Sequence, residues 1–418
     1  MGRLGGPLVA GALFLMAVAP VRAQGACSLT QITSSIGKSS RTFNSAINAG
    51  GNRIVFNSNA DFVGSNGDGS FELFLWDAST GITQITNING PFMNPAINAD
   101  GTRVVFQSNT NSLGTNGDGN FELFLWDAST GLTQITNATS GNSAFPSINA
   151  AGNRIAFDSD ADLVGSNGDG NREIFLWDFS TGFTQVTNTT GGKNSFFPRL
   201  NAGGNRIAFH SDANPLNSNV DGNFEIFLWD ASTGLSQITN SITGGCNGAA
   251  INAAGNRIAF VSDADLAGSN SDRNNEIFLW DSSTGFTQIT NSVSADNLVP
   301  AINAAGNRIA FDSNGDLLGN SDSYEVFLWD SSAGLTQVTN SIVGSGISTI
   351  DAAGVRIAFG SSANFLGSNS DGNGEVFLAS CALPLAEVPA VSPLGLGLLA
   401  TLLSLVAAWT LRRRHGYP

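Results

Sequence analysis

Seven arginines recur at nearly constant intervals along this chain. Arg53, Arg103, Arg154, Arg206, Arg257, Arg308 and Arg356 stand 50, 51, 52, 51, 51 and 48 residues apart. Each opens a short apolar run such as Arg154-Ile155-Ala156-Phe157. A second run follows each, headed by Glu72, Glu122, Glu173, Glu225, Glu276, Glu325 or Glu375, as in Glu173-Ile174-Phe175-Leu176-Trp177-Asp178. A third run resembles Thr184-Gln185-Val186-Thr187, and a fourth, such as Ser147-Ile148-Asn149, precedes the arginine. These runs are short, β-branched or aromatic, and bounded by Gly, Asn, Asp and Ser, so they read as strands. Four strands every 50 or so residues predict an all-β, seven-bladed β-propeller of four-stranded blades. Its repeats protect one another's sheet edges.

The ends of the array predict how the ring closes. The last repeat stops after Glu375-Val376-Phe377-Leu378, without its Thr-Gln strand. The chain begins with an orphan of that strand, Leu29-Thr30-Gln31-Ile32-Thr33. The N-terminal strand should therefore complete the last blade. Aligned on the hairpin of another unit, Cys381 falls at Ala78 and Cys27 at Thr80. Residues two apart in a turn lie roughly 5–7 Å apart at Cα, so a Cys27–Cys381 disulfide is expected. Cys246 is left over and reads as a small buried thiol.

The two ends carry address signals. Residues 1–23 have a positive start at Arg3, a short apolar run from Leu8 to Val18, and a small residue at Ala23, the features of a secretory signal peptide. The propeller then spans 27–381, and 382–393 is a linker. Leu394 to Leu411 has 18 residues without a charge, followed by Arg412-Arg413-Arg414. Eighteen helical residues rise about 27 Å, so 394–411 is expected as a C-terminal transmembrane helix. The basic tail, 412–418, should stay cytoplasmic, with the propeller on the far side. Val388-Pro389-Ala390-Val391-Ser392-Pro393-Leu394-Gly395, the apolar run and the arginines resemble the C-terminal sorting domains of Gram-negative bacteria, closest to the Ile-Pro-Thr-Leu type. Val388 to Val391 replace that signature here. The resemblance implies sorting to the cell envelope.

Charge narrows the partners. Between Cys27 and Cys381 stand 13 basic and 32 acidic residues, a formal net charge of −19. Such a body repels phosphate backbones, so nucleic acid is not an expected partner. Cationic surfaces or divalent cations fit better.

With strands labelled a to d outward, tight a–b and c–d turns share one face. Long b–c loops and variable d–a loops share the other, where binding is expected. Phe92, Met93, Phe145, Phe196, Phe197, Leu298 and Val299 vary between units on the d–a loops. They are candidate binding residues, or else they fill gaps between blades at the start of strand a. The b–c loops place Asp68, Asp118, Asp169, Asp221, Asp272 and Asp371 four residues before the glutamate. Oxygen ligands around a glycine turn make calcium a candidate cofactor. The bidentate glutamate of an EF-hand is missing, and Asx-turns need no metal. The repeated Arg, Trp and Asp read as structural cross-strand pairs.

No catalytic residue is assigned. Histidine occurs only at His210 and His415, and there is no Gly-x-Ser-x-Gly elbow or phosphate-binding Gly-Lys loop. The repeat, on Asn149 to Phe157 and Asp169 to Asp178, resembles TolB-like and WD-repeat-like propellers of bacterial envelope proteins. That resemblance covers about residues 27–381 and implies a propeller with a binding role. The expected function is an envelope module binding a protein or glycan. A carbohydrate-active enzyme using loop carboxylates and a calcium-stabilised surface protein are the alternatives.

Overall fold

The computed structural model describes residues 27–35, 42–87, 90–293, 295–319 and 323–382. The signal peptide, sorting motif, transmembrane helix and basic tail expected above lie outside these residues. Among the described residues, 28 strands, β1 to β28 in chain order, form seven four-stranded antiparallel sheets. The first blade is β2 (Thr42–Ile47), β3 (Arg53–Ser58), β4 (Glu72–Asp77) and β5 (Gly81–Gln84), in that spatial order. Each following blade repeats it. The seven a strands touch one another in a closed cycle, which places them innermost.

The last blade is β26 (Ser345–Ile350), β27 (Arg356–Ser361), β28 (Glu375–Cys381) and then β1 (Cys27–Gln31). The head of the chain thus supplies the outer strand that the tail lacks. Cys27 pairs with Cys381 in register, and the two form a disulfide with Cα atoms 4.1 Å apart. That is shorter than the turn geometry predicted, because the cysteines are direct cross-strand neighbours. Cys246 is a buried free thiol, and burial pushes it up to about 12.

The period of the sequence becomes a period of packing. In every blade a strand-b phenylalanine stacks on a strand-c phenylalanine, as Phe56 does on Phe74 at 5.8 Å and Phe209 on Phe227 at 5.8 Å. Both strands are buried on two faces because blades pack face to face. Val55, Leu73 and Leu75 of the first blade join Val104, Phe106 and Phe124 of the second in one cluster. The ring joint is packed the same way, with Phe56 and Phe74 against Ala358, Val376 and Leu378.

Polar residues staple each sheet. Glu225, wholly buried, accepts from Thr239 Oγ1, from Ser241 N at 2.7 Å and from Ser241 Oγ at 2.8 Å. Glu375 makes the matching bonds to Thr33 and Ser35, beyond β1. On the tight-turn face Arg53 faces Asp77 and pairs with it at 2.6 Å. Its guanidinium also donates to the carbonyl of Gly101, in the next blade's turn, at 3.1 Å. Gly101 has φ 70°, and a Cβ there would lie 2.5 Å from Arg53 Cδ, so glycine is required.

Candidate functional site

The seven b strands read RIVFNS, RVVFQS, RIAFDS, RIAFHS, RIAFVS, RIAFDS and RIAFGS. Their fifth position is the one that changes in chemical class. It carries Asn57, Gln107, Asp158, His210, Val261, Asp312 and Gly360. It lies toward the long-loop end of the strand, one step from the axis. Its partner in register is the second residue of strand a: Ala144 for Asp158, Phe196 for His210, Leu298 for Asp312.

Just beyond that residue every strand a bulges, with two residues opposite one. In blades 1 to 6 the first bulge residue has positive φ even where it is not glycine: 50° at Phe145, 51° at Phe197 and 50° at Val299. A left-handed valine is sterically strained, and such strain clusters at functional sites. A proline follows at Pro95, Pro146, Pro198 and Pro300, where an edge-strand bulge tolerates a missing N–H.

Bulges and variable residues interlock between blades. Phe145 N donates to Gln107 Oε1 at 2.8 Å, and Phe197 N donates to Asp158 Oδ2 at 3.0 Å. Asp158 also pairs with Arg172 at 2.5 Å. Burial nonetheless raises its carboxyl to about 6, outweighing the attraction of Arg172. Arg199 makes no ion pair among the described residues. Burial works against its charge and Asp158 supports it.

Around these charges lies an aromatic group. Phe145 and Phe197 have ring centres 4.0 Å apart, and Phe197 stacks on His210 at 5.4 Å. His210 is 7% exposed and its Nδ1 has no partner among the described residues. Burial first, then Arg199, depress it to about 4, so the ring is neutral at pH 7.

The seven candidate binding residues therefore occupy strands, not loops. Phe92 and Met93 open β6 (Phe92–Ile97), and Phe145 lies in β10 (Ser143–Ile148). Phe196 and Phe197 lie in β14 (Ser195–Leu200), Leu298 and Val299 in β22 (Asn297–Ile302). The bulge breaks the two-residue alternation, which hid the start of each strand a. Met93 and Val299 are exposed, whereas Phe145, Phe196, Phe197 and Leu298 are half-buried. By register all seven positions lie at the long-loop end of strand a, where the central channel of a propeller opens; Phe145 touches Phe197, and Leu298 and Val299 line one cavity. His210 lies within β15 (Arg206–Ser211), the b strand of its blade.

The candidate calcium residues are not gathered in this way. Asp68, Asp118, Asp169, Asp221, Asp272 and Asp371 are exposed, each on its own blade. Asp68 accepts from Ser70 N at 3.1 Å and from Ser70 Oγ at 2.9 Å, which holds its carboxyl low. Each of these loops is tied by a buried asparagine, as Asn167 N donates to Asp162 and Asn167 Nδ2 to the carbonyl of Asn171. Among the described residues no group of three or more His, Cys, Asp or Glu side chains could hold a metal ion.

No protein-family model matches the sequence. No curated protein matches it either. Solved structures do match in fold. Oligogalacturonate lyase from Vibrio parahaemolyticus is 12% identical with a TM-score of 0.58, over 86% of this chain and 98% of that one. The propeller domain of the Trilobed protease from Pyrococcus furiosus is 10% identical with a TM-score of 0.55, over 85% and 99%. That domain is described as having an open Velcro topology, whereas β1 closes the ring here. TolB from Acinetobacter baumannii is 19% identical with a TM-score of 0.42, and this chain spans 60% of its length. At these identities the likeness to the lyase and to the protease domain establishes the propeller fold alone.

Proposed function

We propose that this chain is a non-enzymatic binding module of the cell envelope, which holds a protein at the long-loop mouth of its channel. A glycan is the alternative partner. One observation carries the reading: chemical variety around a sevenfold scaffold is concentrated at the mouth. The fifth residue of strand b changes from carboxylate to imidazole to isopropyl to hydrogen while its strand neighbours stay nearly fixed. Packing alone would have repeated this position with the rest. Export is supported by the Cys27–Cys381 disulfide, a bond that persists in oxidising compartments. Tethering rests on the apolar segment 394–411.

Photo-crosslinkers at Val299 and at Phe179 test this reading. Both side chains are exposed, on opposite faces of the ring. Incubation with envelope extract should give discrete adducts from Val299 and none from Phe179. Adducts from Phe179 alone would move the functional surface to the tight-turn face.

A further inference from the structure

Three positions in each blade build the mouth: the second residue of strand a, the fifth of strand b, and the residue before strand c. Blade 4 fills them with Phe196, His210 and Phe224, whose rings lie 5.4–6.1 Å apart. Blade 6 has Leu298, Asp312 and Tyr324. Blade 7 has Gly346, Gly360 and Gly374. The three glycines line one open cavity of about 540 Å³, with the three blade 6 side chains forming another part of its wall. Its size falls within the ~300–1,000 Å³ range of pockets that engulf a ligand.

We infer that this cavity takes the lysine or arginine side chain of a protein partner, presented on an extended segment with an apolar neighbour. The inference rests on the binding reading above and gives it a chemistry. Among the described residues of the lining, Asp312 is the only formally charged one. The body around it is acidic, so a cation is attracted and an anion repelled. Leu298, Val299 and Tyr324 offer apolar surface of the kind that the stem of a long cationic side chain covers. Ser45, also in the lining, is 7% exposed, and its Oγ has no hydrogen-bond partner among the described residues. A donor from the ligand would satisfy it. At the lip, next to Gly344 of the lining, Ile342 is 90% exposed and Val343 42%, an apolar landing for the neighbouring residue. Asp312 is 4% exposed, and a Cβ on Gly346 would approach its Oδ2 to 3.2 Å, so glycine there leaves room beside the carboxylate.

The test titrates the full chain with short end-capped peptides carrying a central Leu-Lys-Leu. In matched peptides norleucine or glutamate replaces the lysine, and a neutral oligosaccharide serves as the glycan probe. The lysine peptide should bind at least about tenfold tighter than the norleucine one, with the glutamate peptide weakest. Asp312→Asn should remove that preference; Asn57 holds the equivalent place in blade 1, so the scaffold accepts the residue. Gly346→Phe with Gly360→His copies blade 4 and should abolish binding while the melting curve stays cooperative. Equal affinity for lysine and norleucine, an unaffected Asp312→Asn variant, preference for the oligosaccharide, or no saturation by about 1 mM peptide would each overturn the inference. If Val299 adducts persist unchanged in Asp312→Asn, the cavity assignment fails while the mouth reading stands. Adducts from Phe179 alone would remove both.

Discussion

Arg356 donates from Nη1 to the carbonyl of Gly51 at 2.8 Å, so the last blade grips the turn of the first. The other six strand-b arginines make the same contact with the blade that follows, as Arg308 does with Gly354 at 2.7 Å. Each of those six also holds an aspartate across the sheet, whereas Arg356 faces Ser380. The joint of the ring is thus short of one ion pair. Ser380→Asp should stabilise by about 0.5–1 kcal/mol, the scale of a partly exposed pair. Arg356→Ala should cost about 1–2 kcal/mol through the lost inter-blade bond. Urea midpoints of the two variants check both values.

The disulfide closes a loop with a sequence separation of 354. Chain-entropy reasoning gives about 6 kcal/mol for so long a loop, and native strain lowers this toward the usual range of about 2–4 kcal/mol. Cys27→Ser with Cys381→Ser should lose most of that. Limited proteolysis should then cut first near β1, whose partner on one side is β28 and whose other side is open. A denaturation midpoint indifferent to reductant would show that strand pairing alone holds the joint.

Stability should peak on the acid side of neutrality. Burial raises the carboxyls of Glu122, Glu173, Glu225 and Glu276 above their usual value of 4.5. Their folded state holds the proton more tightly, so their contribution is full below the unfolded value and is lost as pH rises through the folded one. Asp178 and Asp281 behave oppositely. Hydrogen bonds from Ser180 and Ser283, aided by Arg154 and Arg257, hold them down at about 2, so their contribution is lost as pH falls below 3.8. His210, depressed from 6.5 to about 4, also loses stability on acidification, but it is one group against four. Melting temperature should rise from pH 8 toward about 5 and fall below about 4. Glu225→Gln should flatten the neutral limb of that profile.

Val299 carries backbone strain at an exposed position. Its equivalent in blade 5 is Gly248, with φ 62°. Val299→Gly should raise stability by about 0.5–1 kcal/mol by relieving the left-handed valine, and should weaken partner binding at the mouth. A calorimetric scan paired with titration of the lysine peptide reads both effects. Unchanged stability would mean that the valine is not strained.

The sequence exposes some of this architecture and hides the rest for physical reasons. Arg, Glu and the Thr-Gln runs repeat because they staple sheets, so periodicity reveals the blades and even the strand borrowed from the chain head. The mouth is different. The bulges after Met93, Ala144, Phe196 and Leu298 interrupt the alternation that marks a strand, which made strand residues look like loop residues. The prolines beside the bulges were the available clue. Gly346, Gly360 and Gly374 lie far apart in sequence, and only the register of three strands brings them to one cavity. His210 stands at a position that varies from blade to blade. That same variation marks the position as part of the mouth.

The closing strand has a consequence for biosynthesis. Of the described strands β1 leaves the ribosome before the others, yet its partner β28 is complete only when Cys381 emerges. At ~5–20 residues per second, β1 waits roughly 20–70 s as an unsatisfied edge. Nascent chains of this protein therefore face their greatest risk of mispairing with one another during that interval, and a holdase that covers residues 27–35 would act where the hazard lies.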